Sequence, residues 1–406
     1  MKLKIGLLTT YLALGEDSDS GIGQHYHILA DALAAQRHQV HMVYATRDPG
    51  PARAALATLA PPWTYDVVTS RAPAWLRGVV RKSWPSQLLL ENLWLSRAAD
   101  RALAAASRRY GLAAIETHSY NAPALFFLRR RHRPPVVTRV STTTAQMVPI
   151  SLVHSRVIGW QSAIERRVTR RSDALVTHTV QHRDTICTLE GYDPAGFAIV
   201  PHGLPDPGEP PAVTGTNHDQ TVEFLFVGRF ETRKGIDVLL AAIPEVANAC
   251  PAARFTLAGS TGSGSDWSEF TARYPALAAS RVQSLGKVSP AALRALYQRC
   301  SVLVAPSRYE SFGLIYAEAM SHGKPVIGCD AGGIPDVVTN GVTGLLARPG
   351  DVASLVECMN RLGADAALRE RFGHAGRRDF LARFSASTMA ARSVELYARI
   401  GRSSGG

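Results

Sequence analysis

Cysteine is scarce. Five residues, Cys187, Cys250, Cys300, Cys329 and Cys358, are scattered over 406 positions with no paired spacing. That excludes a zinc knuckle and provides no disulfide framework. Each thiol reads as a small buried hydrophobe, and the set fits a reducing, cytoplasmic setting. Also missing is any run of roughly 20 apolar residues, so no segment reads as a transmembrane helix. The start, Met1 to Leu8, has lysines at 2 and 4. Its apolar run is too short for a signal peptide and lacks a small-residue cleavage site, so it reads as a buried first strand. No basic module interleaved with aromatics is present, which argues against a nucleic-acid partner.

What the chain does have is positive charge, apolar residues and length. The formal net charge is +12, mostly from arginine, with clusters at Arg129-Arg130-Arg131-His132-Arg133 and at Arg166-Arg167 with Arg170-Arg171. Such a balance favours anionic partners, whether nucleotides, phosphates or acidic lipid, or else it decorates solvated helices. A hydrophobic content of 46% supplies substantial cores, and the length suits two domains. Short apolar runs alternate with helical patterns, which predicts doubly wound α/β layers. Strands are expected at Lys4–Leu8, Val40–Tyr44, Ala113–Glu116, Val136–Val140, Ala174–Thr177 and Ala198–Val200. After a Pro- and Gly-rich stretch from Pro201 to Gln220 they resume at Val222–Val227, Arg254–Ala258, Val282–Leu285, Val302–Ala305 and Pro325–Gly328. Long helices are expected at 24–36 and 88–110. The expected division is a first domain at 1–205, joined by a last helix at about 385–400, and a second at 206–384, with a disordered tail from Gly401.

Parallel sheets of this kind bind ligands at the carboxyl ends of their strands. Two stretches in the second half are built for an anion there. Phe224-Leu225-Phe226-Val227 runs into Gly228-Arg229, with Lys234-Gly235 five residues on, just before a helix. Two cations at that place would neutralise a diphosphate leaving group, work that a metal does elsewhere. Farther on, Val302 to Ala305 leads into Pro306-Ser307-Arg308-Tyr309-Glu310-Ser311-Phe312-Gly313 and a helix from Leu314. The amides near Phe312, Gly313 and Leu314 would form an anion-seeking helix N-terminus. Glu310 in the loop and Glu318 in the helix are eight residues apart, and each carboxylate accepts two hydroxyl hydrogen bonds.

Gly228-Arg229 with Lys234-Gly235, followed by Glu310 and Glu318, resembles family 4 of the retaining glycosyltransferases with the GT-B fold. Further loose matches appear in order: the Gly21-Ile22-Gly23 loop, His118, Val200-Pro201-His202-Gly203, and Gly332-Gly333-Ile334-Pro335-Asp336. The resemblance implies α/β architecture, with two Rossmann-like doubly wound domains facing across a cleft, an N-terminal acceptor domain and a C-terminal donor domain. It implies retaining, metal-independent transfer of a hexosyl-type sugar from a UDP- or GDP-sugar, with no cofactor, by front-face attack. It assigns Arg229 and Lys234 to the donor diphosphate, Glu310 to the transferred sugar and Glu318 to the ribose hydroxyls. It places Phe312, Gly313 and Leu314 at phosphate or sugar, Lys287 and Val288 near the base, Gly21 and Gly23 against donor and acceptor, and His118 beside the reacting sugar.

Two positions depart from the family pattern, His202 for asparagine and Arg139 for histidine, and both are expected to line the cleft and alter acceptor choice. Asp17-Ser18-Asp19 has the form of a metal-binding Asp-x-Asp, but it lies in an acidic loop and is assigned no metal. A sugar-nucleotide 2-epimerase shares the architecture, but the spacing of Glu310 and Glu318 favours transfer; a phosphorylase would want a lysine in a Schiff-base context, and a non-catalytic nucleotide-sugar-binding subunit would be expected to lose some of the cation or glutamate positions, all of which are present. The acceptor stays open among small molecule, glycan and lipid. Finally, Trp75 to Leu95 alternates tryptophans and leucines with Arg77, Arg81 and Lys82. Such a segment suits peripheral adsorption to the inner face of a membrane, an acceptor lid or a dimer contact.

Overall fold

The structure, a computed structural model, describes residues 2–12, 21–80, 84–147, 156–209, 221–260 and 266–403. The chain forms two units. Unit 1 comprises Met1–Gly203 and Ala386–Gly406, and unit 2 comprises Leu204–Ser385.

Unit 1 holds β1 (Lys4–Thr9), β2 (Gln39–Ala45), β3 (Thr64–Val68), β4 (Ala114–His118), β5 (Val136–Arg139), β6 (Ala174–Thr177) and β7 (Phe197–Ile199). They form one parallel sheet in the order β3-β2-β1-β4-β5-β6-β7. Unit 2 holds β8 (Val222–Val227), β9 (Ala253–Ala258), β10 (Val282–Gly286), β11 (Val302–Val304), β12 (Val326–Cys329) and β13 (Gly344–Ala347), ordered β10-β9-β8-β11-β12-β13. The central strands are buried nearly throughout, because helices cover both faces of a parallel sheet. That is why they read as unbroken apolar runs rather than as alternating ones.

In each sheet the order reverses once, between β1 and β4 in unit 1 and between β8 and β11 in unit 2. At such a switch point the two outgoing loops part and leave a crevice at the strands' carboxyl ends. The loops after β8 and β11 are the two cation- and glutamate-bearing stretches singled out from the sequence.

The helix Ala386–Ser403 returns the chain to unit 1. Met389, Ala390, Ser393, Leu396, Tyr397 and Ile400 recur at three- and four-residue steps and are buried together. It extends past Gly401 to Ser403, so residues 401–403 are helical where a disordered tail was expected, and 404–406 lie outside the described residues. Other boundaries shift as well. The first helix is Gly21–Ala35, so Gly21 and Gly23 sit in its first turn rather than in a loop ahead of it. β4 runs on through Thr117, making His118 its last residue rather than one beyond it. Strands β3 and β13 were not legible: β3 follows Pro61-Pro62 and is only partly buried, and β13 is four residues opening on a glycine. The Pro- and Gly-rich stretch from Pro201 was expected to be a linker, but Pro201 and Gly203 are buried and the Leu204 N–H donates to the Phe384 carbonyl at 2.8 Å, so the chain is still packed where that stretch begins. Residues 210–220 and Asp17-Ser18-Asp19 lie outside the described residues.

Candidate functional site

The β8 and β11 loops of unit 2 are locked together by backbone contacts that only glycine permits. Gly235 has φ +71°, and a Cβ added there would lie 1.9 Å from the Pro306 carbonyl oxygen. That close approach holds the Thr232-Arg233-Lys234 turn against the strand end of β11. The Arg308 N–H donates to the Arg233 carbonyl at 2.8 Å. The Arg308 guanidinium grips Asp237 at 2.7 and 2.6 Å and donates to the Thr232 carbonyl at 2.5 Å.

This scaffold brings Lys234 and Glu310 into contact. The Lys234 ammonium is 2.5 Å from a Glu310 oxygen, and both side chains are largely withdrawn from solvent. The Ser307 hydroxyl donates to the same oxygen at 3.2 Å, and Arg233 stands 3.9 Å from the other. The Glu310 carbonyl accepts the Gly333 N–H at 2.7 Å, so the loop after β12 belongs to the same constellation. Arg229 is 67% exposed at the rim, 3.4 Å from Glu231. One residue carries an inward, paired cation and the other a solvent-facing one.

The helix Leu314–Ser321 opens directly behind Glu310. Its N-cap is Gly313, in the left-handed region at φ +88°, where a Cβ would strike the Tyr316 ring at 2.6 Å. Glycine has no side chain with which to cap the first turn. Phe312 is buried in the core beneath, and Leu314 is half-buried at the first turn. Glu318 lies one turn farther on and accepts the Tyr297 hydroxyl at 2.6 Å. Burial pushes the Glu318 carboxyl up, with the Tyr297 bond acting against that shift. Lys287 is exposed after β10, while Val288 packs on the unit 2 core. Tyr297, Arg233, Ser307 and the Arg308–Asp237 pair were not singled out from the sequence. They become visible only when the loops after β8 and β11 and the helix Pro290–Arg299 are assembled.

In unit 1, the switch point between β1 and β4 joins Thr10 to His118. The Thr10 N–H donates to His118 Nε2 at 3.2 Å, and the Tyr11 and Tyr26 rings lie 5.9 Å from the imidazole. His118 is fully buried, and that burial pushes its pKa down to about 3, so the ring is neutral. Immediately beyond, Asn121 and Ala122 take positive φ of 60° and 50°, strain of the kind that collects at ligand-binding strand ends. The Asn121 amide donates to the Tyr11 hydroxyl at 3.0 Å. Glu165 accepts the N–H groups of Asn121 and Thr144 at 3.1 and 3.0 Å, together with the Thr144 hydroxyl at 2.7 Å.

Arg139 does not line an open surface. It is 1% exposed and pairs with Glu116 at 2.9 Å, while donating to the Val200 carbonyl at 3.0 Å. Glu116 also accepts the Tyr397 hydroxyl at 2.5 Å. Burial alone would raise the Glu116 pKa, but Arg139 and the surrounding donors hold it down at about 2. His25, 3.6 Å from Glu116, is pushed to about 4 by burial and by Arg139, so that contact is not an ion pair. His202 is half-buried and faces His25 with the two Nδ1 atoms 3.1 Å apart. The His178 ring stacks between those of His202 and His182, at 4.8 and 4.3 Å. The substitutions expected to tune acceptor choice thus form an internal network beneath the strand ends. Among the described residues, no group of three or more His, Cys, Asp or Glu side chains is placed to hold a metal ion.

The segment Trp75 to Leu95, read as a membrane contact, an acceptor lid or a dimer contact, falls on two helices, Ala74–Val80 and Trp84–Tyr110. Trp75 is 72% exposed, whereas Leu95 is in the core and Trp94 is half-buried beside Arg97. No helix of the described residues is long and apolar enough to cross a membrane.

Comparison with known proteins bears on both units. Residues 20–206 match the family model described as Glycosyltransferase Family 4, and residues 221–365 match the one described as Glycosyl transferases group 1. The chain is 31% identical over 261 residues to a glycogen synthase of Mycobacterium tuberculosis, spanning 61% of this chain and 62% of that enzyme's length. It is 27% identical over 380 residues to a D-inositol 3-phosphate glycosyltransferase of Actinosynnema mirum, covering 87% of this chain and 86% of that one. Among solved structures, Anabaena HepE in complex with UDP-glucose superposes with a TM-score of 0.65 at 17% identity, covering 98% of this chain and 100% of that one.

Proposed function

The chain belongs to glycosyltransferase family 4 and has the GT-B fold, and from that premise we propose that it transfers a sugar from a nucleotide-diphosphate donor to an acceptor hydroxyl with retention of anomeric configuration. Unit 2 takes the donor and unit 1 the acceptor. The observation that carries this reading is the Lys234–Glu310 pair, 2.5 Å apart and directly before a glycine-capped helix at the switch point of unit 2.

In the proposed complex the diphosphate lies over the Gly313 turn. The helix dipole and the Lys234 ammonium then face the charge that grows on the leaving oxygen. Arg229, exposed at the rim, swings onto the distal phosphate. Glu310, drawn off Lys234 by the incoming anion, accepts hydrogen bonds from hydroxyls of the transferred sugar. Glu318 receives the ribose diol beside Tyr297. Fixed cations and dipoles do what a divalent ion would do, so turnover proceeds without a metal. No carboxylate is assigned beneath the anomeric carbon, and the acceptor attacks on the face from which the diphosphate leaves. The diphosphate takes the acceptor's proton. His118, neutral and buried, acts as a wall and hydrogen-bonding group rather than as a base.

A donor panel tests the reading. UDP-glucose, GDP-mannose and ADP-glucose are added in turn, with and without EDTA, while thermal unfolding is followed. One donor is expected to raise the midpoint of unit 2 equally with and without chelator, and Lys234→Ala is expected to remove that rise. With labelled donor and no acceptor, slow hydrolysis fits a transferase, whereas accumulation of a 2-epimer would replace it with an epimerase. A requirement for magnesium or manganese would sink the metal-free mechanism.

A further inference from the structure

The net charge is not shared between the units. Unit 1 has 27 Lys and Arg against 15 Asp and Glu, and unit 2 has 18 against 18. The whole surplus of +12 therefore lies outside the unit assigned to the diphosphate, which is neutral. A nucleotide donor does not account for it.

The same unit exposes two tryptophans. Trp75 is 72% and Trp160 64% exposed, against a general tendency of indoles to be at least partly covered. Each sits on a short helix with cations beside it. On Ala74–Val80, Trp75 is followed by exposed Arg77. On Arg156–Thr169, the exposed positions Trp160, Ala163 and Arg167 recur at three- and four-residue steps, and Arg170 follows just past the helix end. Ser162, Glu165 and Val168 occupy the buried side. Both helices pack against the same long helix, Trp84–Tyr110. Among the described residues, Arg77, Arg167 and Arg170 take part in no ion pair, unlike Arg130 and Arg133, which are tied to Asp100 and Asp173.

We propose that unit 1 docks on an anionic lipid bilayer through the helices Ala74–Val80 and Arg156–Thr169, with Trp75 and Trp160 as interfacial anchors. An indole has an apolar body and one N–H, which suits the boundary between acyl chains and headgroups. The unpaired arginines find their counter-charge in anionic headgroups within a Debye length of the surface. A second copy of this chain fits less well, because it would bring the same positive face against its like. Nucleic acid fits less well too, since the sequence has no basic module interleaved with aromatics on which bases could stack.

The test is co-sedimentation of the full chain with vesicles of phosphatidylcholine alone or with about one third phosphatidylglycerol. Binding is expected only to the anionic vesicles and is expected to weaken with salt. Trp75→Ala with Trp160→Ala is expected to lower the partition coefficient about tenfold, and Arg167→Glu or Arg170→Glu about fivefold each. These side chains face solvent, so the thermal midpoint and the donor-induced shift of unit 2 stay as in the parent. That separates failure here from failure of the transferase reading. The proposal is overturned by absent binding, by equal binding to neutral vesicles, or by binding that survives the tryptophan variants. It is equally overturned if those variants instead abolish a homodimer, or if an oligonucleotide binds through the same residues more tightly than the vesicles do.

Discussion

Units 1 and 2 are built on the same kind of sheet and handle charge in opposite ways. Unit 2 is neutral overall, yet it keeps Arg229 at a solvent-facing rim and Lys234 on a turn at the mouth of its crevice. Unit 1 carries the whole surplus, yet its most strongly engaged cation, Arg139, is sealed beneath the strand ends with Glu116 and Tyr397. Ten of the 13 histidines also belong to unit 1, and several are stacked and desolvated there. The net charge of a domain therefore says little about where an anion binds. What matters is whether a cation stands at a strand end where a ligand can displace its partner.

The largest test of this contrast is Arg139→Ala. Removing one half of a buried pair strands the other, which costs about 3–5 kcal/mol. Calorimetry is expected to show the unit 1 transition falling steeply while the unit 2 transition holds. A uniform fall of both would mean that the units do not melt separately. Acid tests the same unit. His25 is pushed to about 4 and His118 to about 3, both by burial, and His182 to about 4 for the same reason. The unfolded chain takes up these protons at the ordinary value near 6.5, so below that pH it binds more protons than the folded unit. Stability is whole above about pH 6.5 and drains away as the pH falls toward 4. His25 alone contributes about 3 kcal/mol to that loss. In unit 2 burial lowers His322 in the same way, one histidine against these three, so urea unfolding at pH 5 is expected to open unit 1 first.

Two substitutions sharpen the comparison from the other side. Lys234→Ala is expected to lower kcat/KM at least about 100-fold, and Arg229→Ala about tenfold because its charge is already shared with water. Equal losses would mean that the two cations are engaged alike. Gly235→Ala is expected to destabilise unit 2 by about 1–2 kcal/mol, since its φ and the Pro306 oxygen both oppose a Cβ. Donor affinity should fall with it, because the Lys234 turn is held at that contact. Unchanged affinity would separate the turn from the site.

How legible each unit is follows from the same difference. The unit 2 site is written in two short loops after buried strands, so Lys234, Glu310 and Gly313 were readable as a local sequence of strand, turn and helix. The second layer was not, because Tyr297 reaches Glu318 from a different helix and Asp237 meets Arg308 across 71 residues. In unit 1 the sequence placed His118 near a strand end but gave no sign that its ring would be wholly covered. Arg139 and His202 read as surface departures because nothing nearby in sequence supplies their partners. Glu116 comes from β4 and Tyr397 from 281 residues further on.

The helix bearing Tyr397 is the final piece of unit 1 to leave the ribosome, after all of unit 2. Until it docks, one oxygen of the buried Glu116 carboxylate lacks its hydroxyl donor, and the apolar stripe from Met389 to Ile400 has no seat. Unit 2 is contiguous and can fold as it emerges, whereas the half translated first has all seven strands of its sheet but must wait for its last covering helix until residues 386–403 have been made.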